Sequence, residues 1–172
     1  MKKMKKKIML MLLVCIILLS GVCLIPFQTC LVILQDKSEE IIAYTQLEQG
    51  QQYQIEYIHS IHLSKVVETY ESTADRNIRQ VEISFEDFAV GMPSSAEEGE
   101  QFVNENGRYK IKNMNRLFPE IVLLTGKVVA NHTLIIRNKR TPLATIIEPG
   151  SVVAFKIQKL SLWDKWKGGV HL

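Results

Sequence analysis

The chain has 172 residues, 47% of them hydrophobic and 23% charged, which is typical of one globular domain. Its formal charge of +3 arises at the amino terminus: five lysines lie in the first seven residues, and the rest of the chain has fewer basic than acidic side chains. Because no basic surface is expected beyond that terminus, the composition predicts no nucleic-acid partner.

The amino-terminal segment predicts a membrane anchor. No charged residue occurs from position 8 to position 35, and a helix needs about 20 apolar residues to cross a bilayer. We predict a basic tail over residues 1–7, an anchor or uncleaved signal over 8–34 and a spacer over 35–40. Basic residues stay on the cytoplasmic side, so the prediction is a single-pass cell-membrane protein with a cytoplasmic amino terminus and an extracytoplasmic domain.

A cleaved signal peptide and a lipoprotein signal are the alternatives for this segment. No A-x-A-like cleavage triplet precedes Asp36, and no cysteine stands in a lipoprotein context, which favours the uncleaved anchor. Cys15, Cys23 and Cys30 all lie in this segment. The outer domain is therefore expected to have no disulfide framework, no thiolate metal site and no cysteine nucleophile.

Polar and apolar residues mostly alternate with period two along residues 41–172. In "QQYQIEYIH" the residues Tyr53, Ile55, Tyr57 and His59 share one face, and "RQVEISFED", "HTLIIRN" and "SVVAFKIQKL" alternate in the same way. Turn signals such as "EQGQ", "ADRN", "NENG", "RNKR" and "EPGS" separate these runs. The pattern predicts an all-β extracytoplasmic domain, an antiparallel β-sandwich or small barrel, preceded by one transmembrane helix.

A β-hairpin is predicted where polar residues are densest, with strands over 51–59 and 66–73. In this hairpin Glu68 enters the apolar face that carries His59, and a buried carboxylate needs a partner. We therefore predict a hydrogen-bonded pair between His59 and Glu68. Ser60 or His132 could join this polar cluster, which would either fix the hairpin or form the floor of a ligand pocket.

Two catalytic interpretations of the same residues are weaker. His59 and His62 would point to opposite faces of a strand, and a zinc ion would need His132 or Glu68 as a further ligand. A serine hydrolase would need Ser60 beside a histidine and a carboxylate, but no G-x-S-x-G elbow is present. We predict no catalytic residue, no metal and no cofactor.

The carboxyl-terminal segment "SLWDKW" contains both tryptophans of the chain. The sequence favours packing of Trp163 and Trp166 against the sandwich, with a position at the membrane interface as the alternative.

The outer domain resembles a known bacterial family through the order of several segments. These are the aromatic strand leading to His59 and Ser60, "VVETY" with Glu68 and Tyr70, "SFEDFAVGMPS", "GRYKI…NRLFPEI", "VVANHTLII" with Asn131 and His132, "EPGSVVAFKI" and "SLWDKW". Together they resemble the family catalogued as domain of unknown function 1850 (DUF1850).

The resemblance implies a small envelope protein associated with tripartite ATP-independent periplasmic (TRAP) transporters of the type that uses a TAXI solute receptor. The implied role is an accessory or ligand-sensing module, with the transporter's membrane subunit or its solute receptor as partner. An enzyme, either a hydrolase or metal-dependent, centred on His59, Glu68 and His132 is the first alternative. An envelope structural protein without a ligand is the second.

Overall fold

The structure is a computed structural model that describes residues 2–36, 38–87, 92–127 and 131–172. Its elements in chain order are α1 (Lys2–Leu24), β1 (Gln28–Gln35), β2 (Ile41–Gln46), β3 (Gln52–Ile58), β4 (Lys65–Ser72), β5 (Ile78–Phe85), β6 (Gln101–Glu105), β7 (Arg108–Lys112), β8 (Arg116–Phe118), β9 (Glu120–Leu124), β10 (Thr133–Ile136), β11 (Lys139–Pro142), a 3-10 helix (Leu143–Thr145), β12 (Val152–Leu160), α2 (Leu162–Lys167) and β13 (Val170–His171).

Helix α1 is the one described helix that is long and apolar enough to cross a membrane. Its segment Lys5–Leu24 has a mean hydropathy of 2.7, and none of it is buried against the rest of the described chain. The helix ends just before "IPF". Pro26 disfavours helical geometry in the residue that precedes it, which explains an end at this point.

The predicted anchor over residues 8–34 is too long at its carboxyl end. Gln28–Gln35 forms strand β1, and its residues Cys30–Leu34 are at most 3% exposed. An apolar run that is buried on both faces of a sheet has the same composition as the end of a membrane helix. The sequence pattern therefore merged two elements that only three residues separate.

Strand β1 lies in the middle of the first sheet, whose strand order is β13-β2-β1-β12-β9. It pairs with β12 along its whole length, from Gln28 opposite Leu160 to Gln35 opposite Val153. The predicted spacer over 35–40 is also wrong, because the chain turns back there and Gln35 N–H donates to the Glu40 carbonyl at 2.9 Å. The β domain thus begins at residue 28 and not at residue 41.

The second sheet has the order β11-β10-β3-β4-β5-β7-β6, and β8 pairs with β5 beside it. All of these pairings are antiparallel; in the first sheet the short β13 is parallel to β2. Neither sheet closes into a barrel over the described ranges. The predicted fold, an antiparallel sandwich that follows an apolar helix, is confirmed.

The main core lies between the two sheets. It includes Leu31, Ile33 and Phe155 from the first sheet and Tyr53 and Ile55 from the second, all at most 2% exposed. A smaller cluster extends the inner surface of the second sheet; its buried members are Val66, Ile83, Phe85, Ile111 and Met114.

Helix α2 lies on the outer face of the first sheet. Tyr44 O–H donates to the Lys165 carbonyl at 3.5 Å, and the backbone of Gly168 lies against Ile41. No α2 side chain is buried, and Trp163 and Trp166 are 43% and 79% exposed. The predicted packing of both tryptophans against the sandwich is therefore wrong.

Candidate functional site

The predicted hairpin forms from β3 and β4. Ile55 lies opposite Glu68, and Tyr53 opposite Tyr70. Because directly opposed residues share a face, Glu68 and Tyr70 lie on the inner face with the aromatic residues of β3, as the alternation predicts. Glu68 lies between Tyr70 in the main core and Val66 in the smaller cluster.

The predicted pair between His59 and Glu68 is wrong. Glu68 opposes Ile55, and His59 lies four residues further along, which is about 13 Å of strand. His59 closes the turn instead: its N–H donates to the Ser64 carbonyl at 2.9 Å, and its ring Nδ1 accepts from Ile61 N–H at 3.4 Å. Ser60 lies exposed in this turn. The register of the hairpin therefore separates both residues from Glu68.

Two tyrosine hydroxyls are the partners of Glu68. Tyr70 O–H donates to the carboxylate at 2.7 Å, and Tyr57 forms a second hydrogen bond with it. Burial raises the pKa of Glu68, and the two hydroxyls reduce that rise without cancelling it. Burial and the adjacent Glu68 charge raise the pKa of Tyr57 and of Tyr70, so both hydroxyls remain donors at neutral pH.

His132 lies on the same inner face as Glu68. Its ring centroid is 5.4 Å from that of Tyr57, and the side chain is 8% exposed. Burial lowers the pKa of His132, which keeps the imidazole neutral at pH 7. Its Nδ1 is buried and makes no hydrogen bond within the described part of the chain. A cavity of about 40 Å³ adjoins the ring, lined partly by Thr125 and Leu143.

The structure thus brings two of the predicted site residues to one place and leaves two at the turn. We refer to Tyr57, Glu68, Tyr70 and His132 as the Tyr57 cluster. It combines a buried acid, two phenols and a neutral imidazole, a set that can hold a proton or bind a small polar group. In residues 2–36, 38–87, 92–127 and 131–172, no three or more His, Cys, Asp or Glu side chains are grouped to hold a metal.

A polar groove lies on the outer face of the second sheet, and the sequence pattern does not predict it. A bulge lies in its wall: Thr69 opposes Glu82 and Tyr70 opposes Gln80, so Val81 is an extra residue in β5. The groove measures about 560 Å³ and is lined by Gln52, Gln54, Thr69, Arg79, Val81, Glu82, Lys112, Asn113, Met114 and Asn115. The lining residues come together only when the strands pair in this register, and a sequence pattern does not report register across a bulge.

Arg79 is the most distinctive residue of the outer-face groove. Its guanidinium donates to Glu71 on the neighbouring strand. Its Nε is buried without a hydrogen-bond partner among the described residues. An unsatisfied donor beside a groove lined with amides is suited to donate a hydrogen bond to an oxygen of a polar molecule.

These features define a class of protein: a two-sheet antiparallel β domain joined directly to an apolar amino-terminal helix. The chain belongs to the family described as domain of unknown function (DUF1850), whose model matches residues 53–143. That range contains every strand of the second sheet, apart from the first residue of β3, together with the Tyr57 cluster. No curated protein and no solved structure matches the chain.

Proposed function

We propose that this protein is a membrane-anchored extracytoplasmic module that serves a TRAP-type solute transporter as an accessory or ligand-sensing part. One observation carries the proposal: an apolar helix of membrane-spanning length leads through three residues into a central strand of the β domain. Such a short connection keeps the domain at the membrane surface, where a transporter's membrane subunit or solute receptor is within reach.

The charge distribution supports the proposed orientation. Lysines cluster at the amino-terminal end of helix α1, and positive residues are retained on the cytoplasmic side of a membrane. The β domain follows the helix and would then lie outside the cytoplasm, where transported solutes are met. A fusion reporter at each end of the chain, active on only one side of the membrane, tests this orientation.

The outer-face groove supports the ligand-sensing part of the proposal. It opens to solvent, and its walls carry Gln, Asn, Thr and Arg side chains that can hydrogen-bond a polar solute. Because the groove lies on the face of the second sheet that is opposite the core, a bound solute would not disturb the packing of the sandwich. The buried Tyr57 cluster is less suited to exchange solute with the medium.

The alternative of an enzyme centred on His59, Glu68 and His132 receives no support from this geometry. The hairpin register keeps His59 about 13 Å of strand away from the position opposite Glu68. Ser60 lies in the same exposed turn as His59.

The decisive experiment is affinity purification of the tagged full-length chain from its host's membranes in mild detergent, after cross-linking. We expect the membrane subunit of a TRAP transporter, or its solute receptor, to be enriched over a control. The control is a tagged chain with the same helix α1 fused to an unrelated β domain. Equal recovery with both chains, or no transporter protein in either, would contradict the proposed function.

A further inference from the structure

The end of the anchor and the start of α2 lie at the same end of the first sheet. Phe27 N–H donates to the Leu160 carbonyl at 3.2 Å, and only Ser161 separates Leu160 from α2. Ser161 caps the helix: its hydroxyl accepts from Asp164 N–H, and the Asp164 carboxylate accepts from Ser161 N–H and from its hydroxyl. This capping box fixes where α2 begins relative to the anchor.

Apolar side chains stand exposed around that junction. We refer to Ile25, Phe27, Leu162, Trp163 and Trp166 as the junction patch; each is between 43% and 79% exposed. The two indole rings are neighbours, with centroids 5.1 Å apart. A cluster of large exposed apolar residues on a small domain indicates an interaction surface.

Basic residues accompany the junction patch. Lys165 Nζ lies 5.2 Å from the centre of the Phe27 ring, and Lys159 and Lys167 are exposed on the adjoining β12 and α2. Tryptophan rings with lysines beside them are the combination that membrane proteins place at the lipid headgroups. Asp164 is the one acidic residue of α2, and the cap at Ser161 engages its carboxylate.

The length of the anchor sets the junction patch at headgroup level. From Ile8 to Leu24 the apolar helix spans about 26 Å, close to the roughly 30 Å of a hydrocarbon core. Residues 25–27 then reach the boundary of that core. Since α2 starts beside Phe27, its six residues begin in the headgroup layer, which is about 5–8 Å deep on each side.

We propose that the junction patch binds the lipid bilayer that holds α1, with both tryptophans of α2 in the headgroup layer. The bilayer is the occupant because the patch is continuous with the anchor and carries basic side chains. Helix α2 is then a second membrane contact that fixes the orientation of the sandwich, with the outer face of the first sheet toward the membrane. This inference rests on the membrane anchorage of the proposed function.

Tryptophan fluorescence of the full chain in phosphatidylcholine vesicles tests the inference, because Trp163 and Trp166 are the two tryptophans of the sequence. The variant Trp163→Phe leaves Trp166 as its one tryptophan, and Trp166→Phe leaves Trp163, so each variant reports on one ring. A control variant replaces both by Phe and adds Leu117→Trp. Leu117 is exposed on the outer face of the second sheet, across the sandwich from α2.

We expect lipid brominated near the top of its acyl chains to remove most of the emission of Trp166 and Trp163 and little of that of the control. Aqueous acrylamide should remove most of the emission of the control tryptophan and little of that of Trp163 and Trp166. Flotation of the vesicles is measured first. A chain that floats but whose native tryptophans behave like the control overturns the lipid contact of α2 and leaves the anchor standing. A chain that does not float overturns both.

Discussion

Tyr70 donates a 2.7 Å hydrogen bond to Glu68, its neighbour two positions away on the inner face of β4. This bond, with that from Tyr57, replaces the histidine partner that the sequence suggests for the carboxylate. Within the described part of the chain, the carboxylate lies in the interior with neutral donors only, and no cation there balances its charge. The stability of the domain should therefore depend on pH through this residue.

Glu68→Gln tests that dependence. The pKa of Glu68 is raised by burial above its ordinary value of 4.5, so the folded state binds the proton more tightly than the unfolded state. The stabilisation that comes from protonating Glu68 in the folded state is fully present below pH 4.5 and is lost as pH rises through the pKa of Glu68 in the folded protein. We expect the wild-type chain to lose stability over that range and the variant to lose less, so that the variant is the more stable at pH 8. Urea unfolding across pH measures this, and a difference independent of pH would contradict it.

Glu56→Gln in the same hairpin should show the opposite sign. Burial acts to raise the pKa of Glu56, but the hydrogen bond from Arg140 and the charges of Lys65 and Arg140 outweigh it and lower the pKa. Its stabilisation is present above pH 4.5 and is lost as pH falls through the folded pKa. The variant should be less stable at pH 7 by about 0.2–1 kcal/mol for each exposed ion pair. The same urea series would show this difference shrinking toward low pH; a difference that grew would refute the assignment.

Tyr70→Phe removes one donor from Glu68 and should destabilise the domain by about 1–3 kcal/mol. Tyr53→Phe is the matched control. The two rings stack with centroids 5.6 Å apart, but the Tyr53 hydroxyl is buried and makes no hydrogen bond over the described ranges. Removing that hydroxyl should be neutral or stabilising, since a buried unpaired polar group is unfavourable. Denaturant unfolding at pH 7 compares the two, and equal losses would show that the bond to Glu68 has no special role.

Two truncated chains test the position of β1. A chain that starts at Pro26 keeps β1 and should fold, because α1 is not buried against the domain. A chain that starts at Asp36 loses four large buried aliphatic residues, Leu31–Leu34, worth roughly 6–12 kcal/mol in all. That is comparable with the whole stability of a domain, about 5–15 kcal/mol. Far-ultraviolet circular dichroism and thermal unfolding should show a cooperative transition only for the longer chain. A cooperative transition in the shorter one would exclude β1 from the core.

Period-two alternation was sufficient to predict the sandwich and the inner face of Glu68. Tyr53, Ile55 and Tyr57 point to one side because successive residues of a strand alternate, and this does not depend on the neighbouring strand. For the same reason His132, Leu134 and Ile136 lie together on a buried face. The pairing of His59 with Glu68 failed because it required the register of the hairpin, which the turn and the core determine.

The sequence by itself determined the apolar amino terminus, the all-β domain and the residues that face its core, because these follow from local composition and periodicity. The tertiary structure decided three things. It assigned Gln28–Gln35 to the middle of a sheet, where β2 and β12 satisfy its backbone hydrogen bonds. The apolar composition of this segment is equally compatible with a membrane helix. The tertiary structure also gave Glu68 two tyrosines as partners, and it opened the outer-face groove at Val81. Each of these depends on which strands meet and in which register, and that is settled only when the two sheets pack together.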